Sequence, residues 1–316
     1  MTTALFTHPD CLKHVNPPGH PEQVARLEAI NARLAAPVFA PLDRREMPLG
    51  AESDIRRAHP RDYLERVRGQ VPSEGTAKLD PDTWLSPGSW EAALRAVGGV
   101  CAAVDAVLAG EADNAFVAAR PPGHHAERAR AMGFCILSNV AIAALHALEV
   151  QGLRRVAILD FDVHHGNGTQ NVLWNESRIR FASSHQMPLY PGSGGRHEKG
   201  AYGQIRNVPL PEGSGDEAMM EAWQDEILPW VAEWEPELVL VSAGFDAHRA
   251  DPLAGLHWET ADFAWLTHRI CDLADACCSG RVVSTLEGGY DLEALAESVG
   301  EHVKVLMERG DDGQAG

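Results

Sequence analysis

Two carboxylates and an imidazole follow one another closely at Asp160, Asp162 and His164. Residues 156–161 are mostly apolar, which is typical of a buried strand in a parallel sheet. Ligands bind at the carboxyl ends of such strands. On an extended strand, Asp162 and His164 would project to the same side, and a carboxylate with an imidazole suits a metal ion such as zinc. The alternative is that these polar residues only cap the next helix.

A third potential metal ligand, Asp246, follows the apolar run 238–241. This run is a second predicted buried strand, so Asp246 should reach the same edge of the sheet. Three protein ligands would leave a coordination position open, as in catalytic rather than structural zinc sites. The pattern therefore predicts that Asp162, His164 and Asp246 bind a metal ion such as zinc.

Residues suited to proton transfer and to oxyanion binding follow two further predicted strands. His124 and His125 lie after the strand-like residues 115–119, beyond a turn that contains proline and glycine. Paired imidazoles suit proton transfer near neutral pH. Tyr290 follows an apolar run and two glycines, and its hydroxyl could donate to an oxyanion. Four such motifs at successive strand ends indicate one active site.

The elements that must position these motifs alternate between strands and helices. Apolar residues at three- and four-residue steps predict a helix from Ser89, as its N-cap, towards Gly110. This alternation predicts a single α/β domain, a doubly wound parallel β-sheet flanked by helices, over residues 1–309. A flexible tail is predicted over residues 310–316. Strands are predicted near residues 115–119, 155–161, 179–183, 238–243 and 281–286, and long surface loops at 37–50 and 71–88.

Five motifs give the chain a resemblance to a known family. It resembles the zinc-dependent histone deacetylase and acetylpolyamine amidohydrolase superfamily, and most closely its bacterial, class II-like branch. The resemblance extends from His20 to Leu292 and implies the arginase-deacetylase fold. The motifs, in the family's order, are "RPPGHHA", "MGFC", "DFDVHHGNGTQ", "SAGFDAHRADPLAG" and "LEGGYDL".

The resemblance assigns a role to each motif residue. It implies zinc-dependent hydrolysis of the amide of an acylated amine to a free amine and a short carboxylate, commonly acetate. His125 would be the general base that later acts as an acid, with His124 as its electrostatic partner and Asp160 hydrogen-bonded to His124. Tyr290 would polarise the amide carbonyl. The zinc ligands would be Asp162, His164 and Asp246, as the residue pattern already suggests.

Further residues are expected to contact the second histidine or the substrate. Family members often carry an aspartate at the position of Asn167, and class II-like members carry asparagine, which brings no negative charge to His125. The resemblance places Gly133 and Phe134 in the acyl-lysine tunnel and Tyr190 near its mouth. It also allows a structural potassium ion, bound by backbone carbonyls of Asp160, His164 and Ser183.

Three alternatives differ in their residue requirements. An arginase-type dimanganese enzyme would need carboxylates where the chain has Gly166 and His248, so that function is disfavoured. A catalytically inactive acyl-lysine or metabolite binder would need a lost ligand, base or tyrosine, and none is missing. Acetylpolyamine-selective relatives can carry a glutamate where this chain has Leu253, which favours acetyl-lysine over polyamines.

Composition limits the partners of the protein. The formal net charge of −18 disfavours nucleic acid as a direct partner, since phosphate binding needs basic surfaces. No signal peptide and no apolar run long enough for a membrane span is recognised, so a cytoplasmic location is predicted. The expected partner is the acylated amine substrate, and a homo-oligomer is compatible with the sequence.

Overall fold

A parallel β-sheet of eight strands forms the centre of the protein. The computed structural model describes residues 2–311. The strands are β1 (Thr3–Thr7), β2 (Asp43–Glu46), β3 (Ala77–Lys78), β4 (Trp84–Leu85), β5 (Asn114–Val117), β6 (Val156–Asp160), β7 (Ile179–Gln186), β8 (Ile205–Leu210), β9 (Leu238–Ala243) and β10 (Val282–Leu286). The large sheet has the order β2-β1-β5-β10-β9-β6-β7-β8 with parallel neighbours throughout, and β3 and β4 form a separate antiparallel pair.

Helices cover the sheet in two packed groups. They are α1 (Val24–Leu34), α2 (Glu52–Ala58), α3 (Arg61–Gly69), α4 (Ser89–Leu108), α5 (Asn139–Glu149), α6 (Asn167–Leu173), α7 (Asp216–Met220), α8 (Leu228–Ala232), α9 (Thr260–Cys278) and α10 (Leu292–Asp311), with a π-helical stretch, Glu221–Ile227, between α7 and α8. Helices α4 and α5 pack together, while α10 packs on α1 and α9. The predicted α/β fold class is confirmed.

The five predicted strands are present, and three further strands of the large sheet were not predicted. Strands β6, β9 and β10 are buried along their whole length, which explains their apolar sequences. Strand β2 lies inside the predicted loop 37–50, so that prediction was wrong there. Its four residues are all charged and alternate between half-buried and exposed, because β2 is an edge strand of the sheet. The predicted loop 71–88 likewise contains β3 and β4.

Helix α4 begins where the sequence predicted, but with a different cap. Ser89 is its first helical residue, and Gly88 occupies the N-cap position. The Ser89 hydroxyl instead accepts a hydrogen bond from the Ser86 backbone N–H at 2.7 Å and lies 2.7 Å from Nδ1 of His14. The Ser89 side chain therefore stabilises the preceding turn and does not cap the helix.

The last helix passes the predicted end of the domain. Helix α10 continues through Gly310 to Asp311, two residues into the predicted tail, and the remainder of that tail, residues 312–316, lies outside the described residues. Between residues 2 and 311, no helix has the length and apolar character needed to cross a membrane.

Candidate active site

Four neighbouring strands deliver the predicted motifs to one edge of the sheet. Strands β5, β10, β9 and β6 are adjacent in that order and parallel, so their carboxyl ends lie side by side. The loop after β5 carries His124 and His125, and the loop after β6 carries Asp162 and His164. The loop after β9 carries the third predicted metal ligand, and the loop after β10 carries the predicted oxyanion donor. The prediction that these segments meet at one sheet edge is confirmed.

The three predicted metal ligands converge on one buried point. Nδ1 of His164 lies 3.1 Å from Oδ1 of Asp162 and 3.1 Å from Oδ2 of Asp246. Asp162 and His164 were expected on an extended strand, but β6 ends at Asp160 and both residues lie in the following loop. The His164 backbone N–H donates to Oδ1 of Asp162 at 2.9 Å, which turns the chain tightly. The loop, rather than strand alternation, brings the two side chains together.

Backbone groups orient both carboxylates. The backbone N–H of Gly288 donates to Oδ2 of Asp162 at 2.8 Å, and that of Val163 donates to Oδ1 of Asp246 at 2.9 Å. A β-carbon on Gly288 would overlap the carboxylates of Asp246 and Asp162, so only glycine allows this approach. The glycines after β10 are therefore needed to close the site around its acidic groups.

The charges of this cluster fit a divalent cation. Burial alone would lower the pKa of His164, but hydrogen bonds with Asp162 and Asp246 raise it to about 10. Burial and the nearby Asp162 carboxylate raise the pKa of Asp246. Buried carboxylates at this spacing require compensating positive charge, which a proton on His164 supplies without a metal. One nitrogen and two carboxylate oxygens are also donors that zinc accepts, and the same three residues form a potential metal-binding group.

The two adjacent histidines have opposite electrostatic environments. Their ring centroids are 4.0 Å apart, and Nδ1 of His124 lies 3.0 Å from Oδ2 of Asp160. Although burial opposes it, the carboxylates of Asp162 and Asp160 raise the pKa of His124 well above its usual value. Burial, together with the positive charges on His124 and His164, lowers the pKa of His125 well below its usual value. A cationic His124 thus lies beside a neutral His125.

Asn167 determines which nitrogen of His125 is free to accept a proton. The Asn167 amide nitrogen donates to Oε1 of Glu127 at 2.9 Å, so the amide oxygen faces Nδ1 of His125 at 2.8 Å. An amide oxygen can only accept, so Nδ1 of His125 carries the hydrogen and Nε2 retains its lone pair. Glu127, which the sequence analysis missed, therefore orients His125 through Asn167.

Tyr290 lies at the same site with a protonated hydroxyl. Burial raises the pKa of Tyr290 well above its usual value, so the hydroxyl remains a donor. The Phe134 ring centroid is 5.8 Å from that of Tyr290, and the guanidinium of Arg26 lies over the tyrosine ring at 4.9 Å. Arg26 also donates to the carbonyls of Gly289 at 2.5 Å and Glu287 at 2.6 Å. Sequence reasoning missed Arg26 because it lies on α1, more than 260 positions from its partners.

Glu287 is a third residue whose role was not predicted. Its Oε2 accepts the backbone N–H of Gly123 at 2.7 Å and of His124 at 3.1 Å, and its Oε1 lies 3.2 Å from the Ser242 hydroxyl. Burial raises the pKa of Glu287 to about 7. Its position in the "LEGGYDL" motif was the available signal. Glu287 joins the loop after β10 to the loop that carries the histidines.

The residues that were predicted to line a tunnel lie beside the site, and they differ in exposure and in their contacts. Tyr190 is 39% exposed, and its ring centroid lies 5.2 Å from that of His125, which suits a position at the mouth. Gly133 packs on the His125 ring so closely that a β-carbon would overlap it, and Phe134 adopts a φ of 68°. Leu253 is half-buried in the loop after β9, and its backbone N–H donates to Oδ1 of Asp251. The orientation of the Gly133 carbonyl towards a substrate stays a prediction.

Comparisons with known proteins agree on one family. Residues 20–306 match the family described as the histone deacetylase domain. The chain is 40% identical to a histone deacetylase-like amidohydrolase of Pseudomonas aeruginosa, over 91% of this chain and 81% of that protein. It is 39% identical to a probable deacetylase of Archaeoglobus fulgidus, over 93% and 82% of the two chains. The crystal structure of the HDA15 HD domain superposes with a TM-score of 0.92 at 33% identity, covering 97% of this chain and 88% of that one.

Proposed function

The chain belongs to the histone deacetylase family, and from this premise we propose that it is a zinc-dependent amidohydrolase that removes acetyl groups from acetyl-lysine in a protein or a small molecule. The observation that supports this most is the position of His125 and Tyr290 beside the buried cluster of Asp162, His164 and Asp246: the His125 ring contacts that of His164, and the segment that carries Tyr290 donates to Asp162 through the Gly288 N–H. A base, an oxyanion donor and a metal-binding group then surround one reaction centre.

Asp162, His164 and Asp246 would hold the zinc ion, which when bound supplies a Lewis acid and lowers the pKa of water. Nε2 of His125 would accept a proton from the water that attacks the amide carbon. The Tyr290 hydroxyl would donate to the oxygen that becomes negatively charged. His125 would then give its proton to the amine nitrogen as the C–N bond breaks. Free amine and acetate leave, and one water is consumed.

The lining of the site favours a substrate with an aliphatic stem. The Tyr190 ring packs beside His125 and the Phe134 ring beside Tyr290, and aromatic walls suit the methylene chain of lysine. Leu253 at the proposed rim brings no charge that would pair with a distant ammonium, as a polyamine would require. Acetylated polyamines are therefore the second candidate. Structural potassium, homo-oligomerisation and a cytoplasmic location stay predictions.

A release assay tests the proposal directly. Purified zinc-loaded protein would be given an acetyl-lysine peptide, acetylated polyamines and longer acyl-lysines, and free amine and carboxylate would be measured. We expect the highest kcat/KM on the acetyl-lysine peptide and loss of activity when zinc is removed by chelation. Binding of acetyl-lysine without release of acetate would instead support an inactive binder, and preference for polyamines would support the second candidate.

Tyr290→Phe tests the oxyanion donor. The substitution removes one hydroxyl and almost no volume, and we expect kcat to fall about 10²- to 10³-fold, as loss of one oxyanion donor does. KM should change much less, because the hydrogen bond strengthens as charge develops on the oxygen. Tyr202→Phe is the matched control, since Tyr202 is 65% exposed. A Tyr290→Phe enzyme with a normal melting temperature and nearly full turnover would remove the role assigned to this hydroxyl.

Asn167→Asp tests the orientation of His125. A carboxylate 2.8 Å from Nδ1 should raise the pKa of His125. The neutral base is lost as pH falls through this pKa, so the acidic limb of the kcat/KM profile should move to higher pH and activity at neutral pH should fall. Asn31→Asp, at an exposed position of α1, introduces the same charge elsewhere and should leave the profile in place. An unchanged profile for Asn167→Asp would contradict a functional contact between Asn167 and His125.

A further inference from the structure

A buried carboxylate with no role in the steps above joins Tyr290 to the substrate rim. Asp251 lies in the loop after β9 and is 7% exposed. Its Oδ2 accepts the backbone N–H of Tyr290 at 2.7 Å, and its Oδ1 accepts the backbone N–H of Leu253 at 2.9 Å. The Asp251 backbone N–H donates to the His248 carbonyl at 2.9 Å, which fixes the turn that carries the carboxylate. One side chain thus bonds both the predicted oxyanion donor and the predicted rim residue.

We propose that Asp251 is a positioning residue that holds the Tyr290 hydroxyl in place for the transition state and sets the position of the tunnel rim at Leu253. The inference rests on the proposed hydrolytic function. Within residues 2–311 the Asp251 carboxylate hydrogen-bonds to two backbone N–H groups and to none of the three metal ligands, so it acts through its two backbone partners.

The backbone around Tyr290 requires such an anchor. Gly288 and Gly289 precede the tyrosine, and Gly289 adopts a φ of 119°, a conformation that glycine reaches at little cost. Arg26 holds this segment by its carbonyls at Glu287 and Gly289. Asp251 holds it at the next backbone N–H, so that two side chains bond the two kinds of backbone group.

The two partners of Asp251 should affect different kinetic constants. The Tyr290 hydroxyl is needed mainly as charge develops on the substrate oxygen, so its displacement lowers kcat. Leu253 at the proposed rim would contact the substrate before and during the reaction, so its displacement should change KM. A residue that only stabilised the fold would lower the melting temperature, without separate effects on kcat through Tyr290 and on KM through Leu253.

Asp251→Asn preserves the shape of the side chain and removes one of its two hydrogen-bond acceptor oxygens. The amide oxygen can accept one of the two N–H groups, but the amide nitrogen cannot accept the other. We expect kcat to fall about 10- to 100-fold, in the range that small misplacements of catalytic groups cause, with zinc content unchanged. Asp291→Asn is the matched control: this carboxylate adjoins Tyr290 in sequence, but it accepts the Ala294 N–H at the start of α10 at 2.9 Å. Asparagine caps helices as well as aspartate does, so kcat should be unchanged.

A double-mutant cycle with Tyr290→Phe decides whether Asp251 acts through Tyr290. If it does, adding Asp251→Asn to Tyr290→Phe should lower kcat less than about twofold further, because the hydroxyl it positions is already absent. The effect on KM should persist, because it passes through Leu253. The proposal would be overturned if the double variant lost kcat by the product of the two single losses. It would also be overturned if the loss of kcat in Asp251→Asn were explained by a loss of bound zinc.

A readout that needs no turnover separates this inference from the proposed function. The chain contains four tyrosines, so ¹⁵N-tyrosine labelling gives four backbone amide signals, and Tyr290→Phe identifies the one from position 290. Asp251→Asn should shift that signal and speed its hydrogen exchange, whereas Asp291→Asn should leave its exchange unchanged. An unmoved signal would overturn the positioning role even in an active enzyme. An inactive wild-type protein in which the signal moves would reject the proposed hydrolysis and leave the anchor at Tyr290 supported.

Discussion

Replacing Asp246 with alanine is expected to abolish tight binding of one zinc ion per chain and to reduce amide hydrolysis below detection. Asp246 supplies one of two carboxylates around His164, and a single carboxylate with one imidazole is a poor zinc site. The substitution also leaves the Val163 backbone N–H without its acceptor, so Asp246→Asn, which retains an acceptor oxygen, should be measured beside it. Both variants should lose zinc on dialysis, and Asp246→Asn should keep more of the thermal stability.

Metal analysis, turnover and binding of a hydroxamate together check this prediction. A hydroxamate chelates zinc through two oxygens, so it should inhibit the wild-type protein and should not bind either variant tightly. Asp225→Ala, at an exposed carboxylate of the π-helical stretch, is the matched control and should keep full zinc content. Two metal ions per active chain, or full activity of Asp246→Ala, would show that the site is misassigned.

Replacing His125 with alanine is expected to cost about 10²- to 10⁴-fold in kcat, the range typical of a lost general acid–base group. His124→Ala should cost less, because only His125 is neutral and able to take a proton and later return it. His124 contributes a positive charge beside Asp162, with its Nε2 3.7 Å from Oδ1 of that ligand. Its removal takes a positive charge away from a metal ligand, so zinc content should not fall and the loss should appear in turnover.

Turnover at saturating zinc separates the two histidines. His257→Ala, an exposed histidine, serves as the matched control and should behave like the wild type. The His125→Ala enzyme should also lose the acidic limb of the pH profile, since the group that titrates there is gone. Equal losses of only a few fold in both variants, with the acidic limb retained, would contradict the division of labour between the two imidazoles.

Much of the site was predictable because of the geometry of a parallel sheet. Polar residues that follow apolar runs must reach the same edge when the strands are parallel neighbours, and β5, β10, β9 and β6 are. Strand β2 was not predictable in this way. An edge strand buries little, so its charged sequence carries no apolar pattern, and its partner β1 lies more than 35 positions away.

The sequence alone determined the fold class, the residue types of the site and the edge of the sheet where they meet, because apolar runs and motif order are local properties of the chain. Only the tertiary structure decided how these residues are held. Asp162 and His164 meet through a turn in the loop after β6. Glu127 orients Asn167, which in turn sets the tautomer of His125. Arg26 donates to the backbone carbonyls just before Tyr290. These contacts join residues up to 263 positions apart. Their energy comes from pairing buried polar groups that folding has removed from water, and no local pattern encodes which groups will be paired.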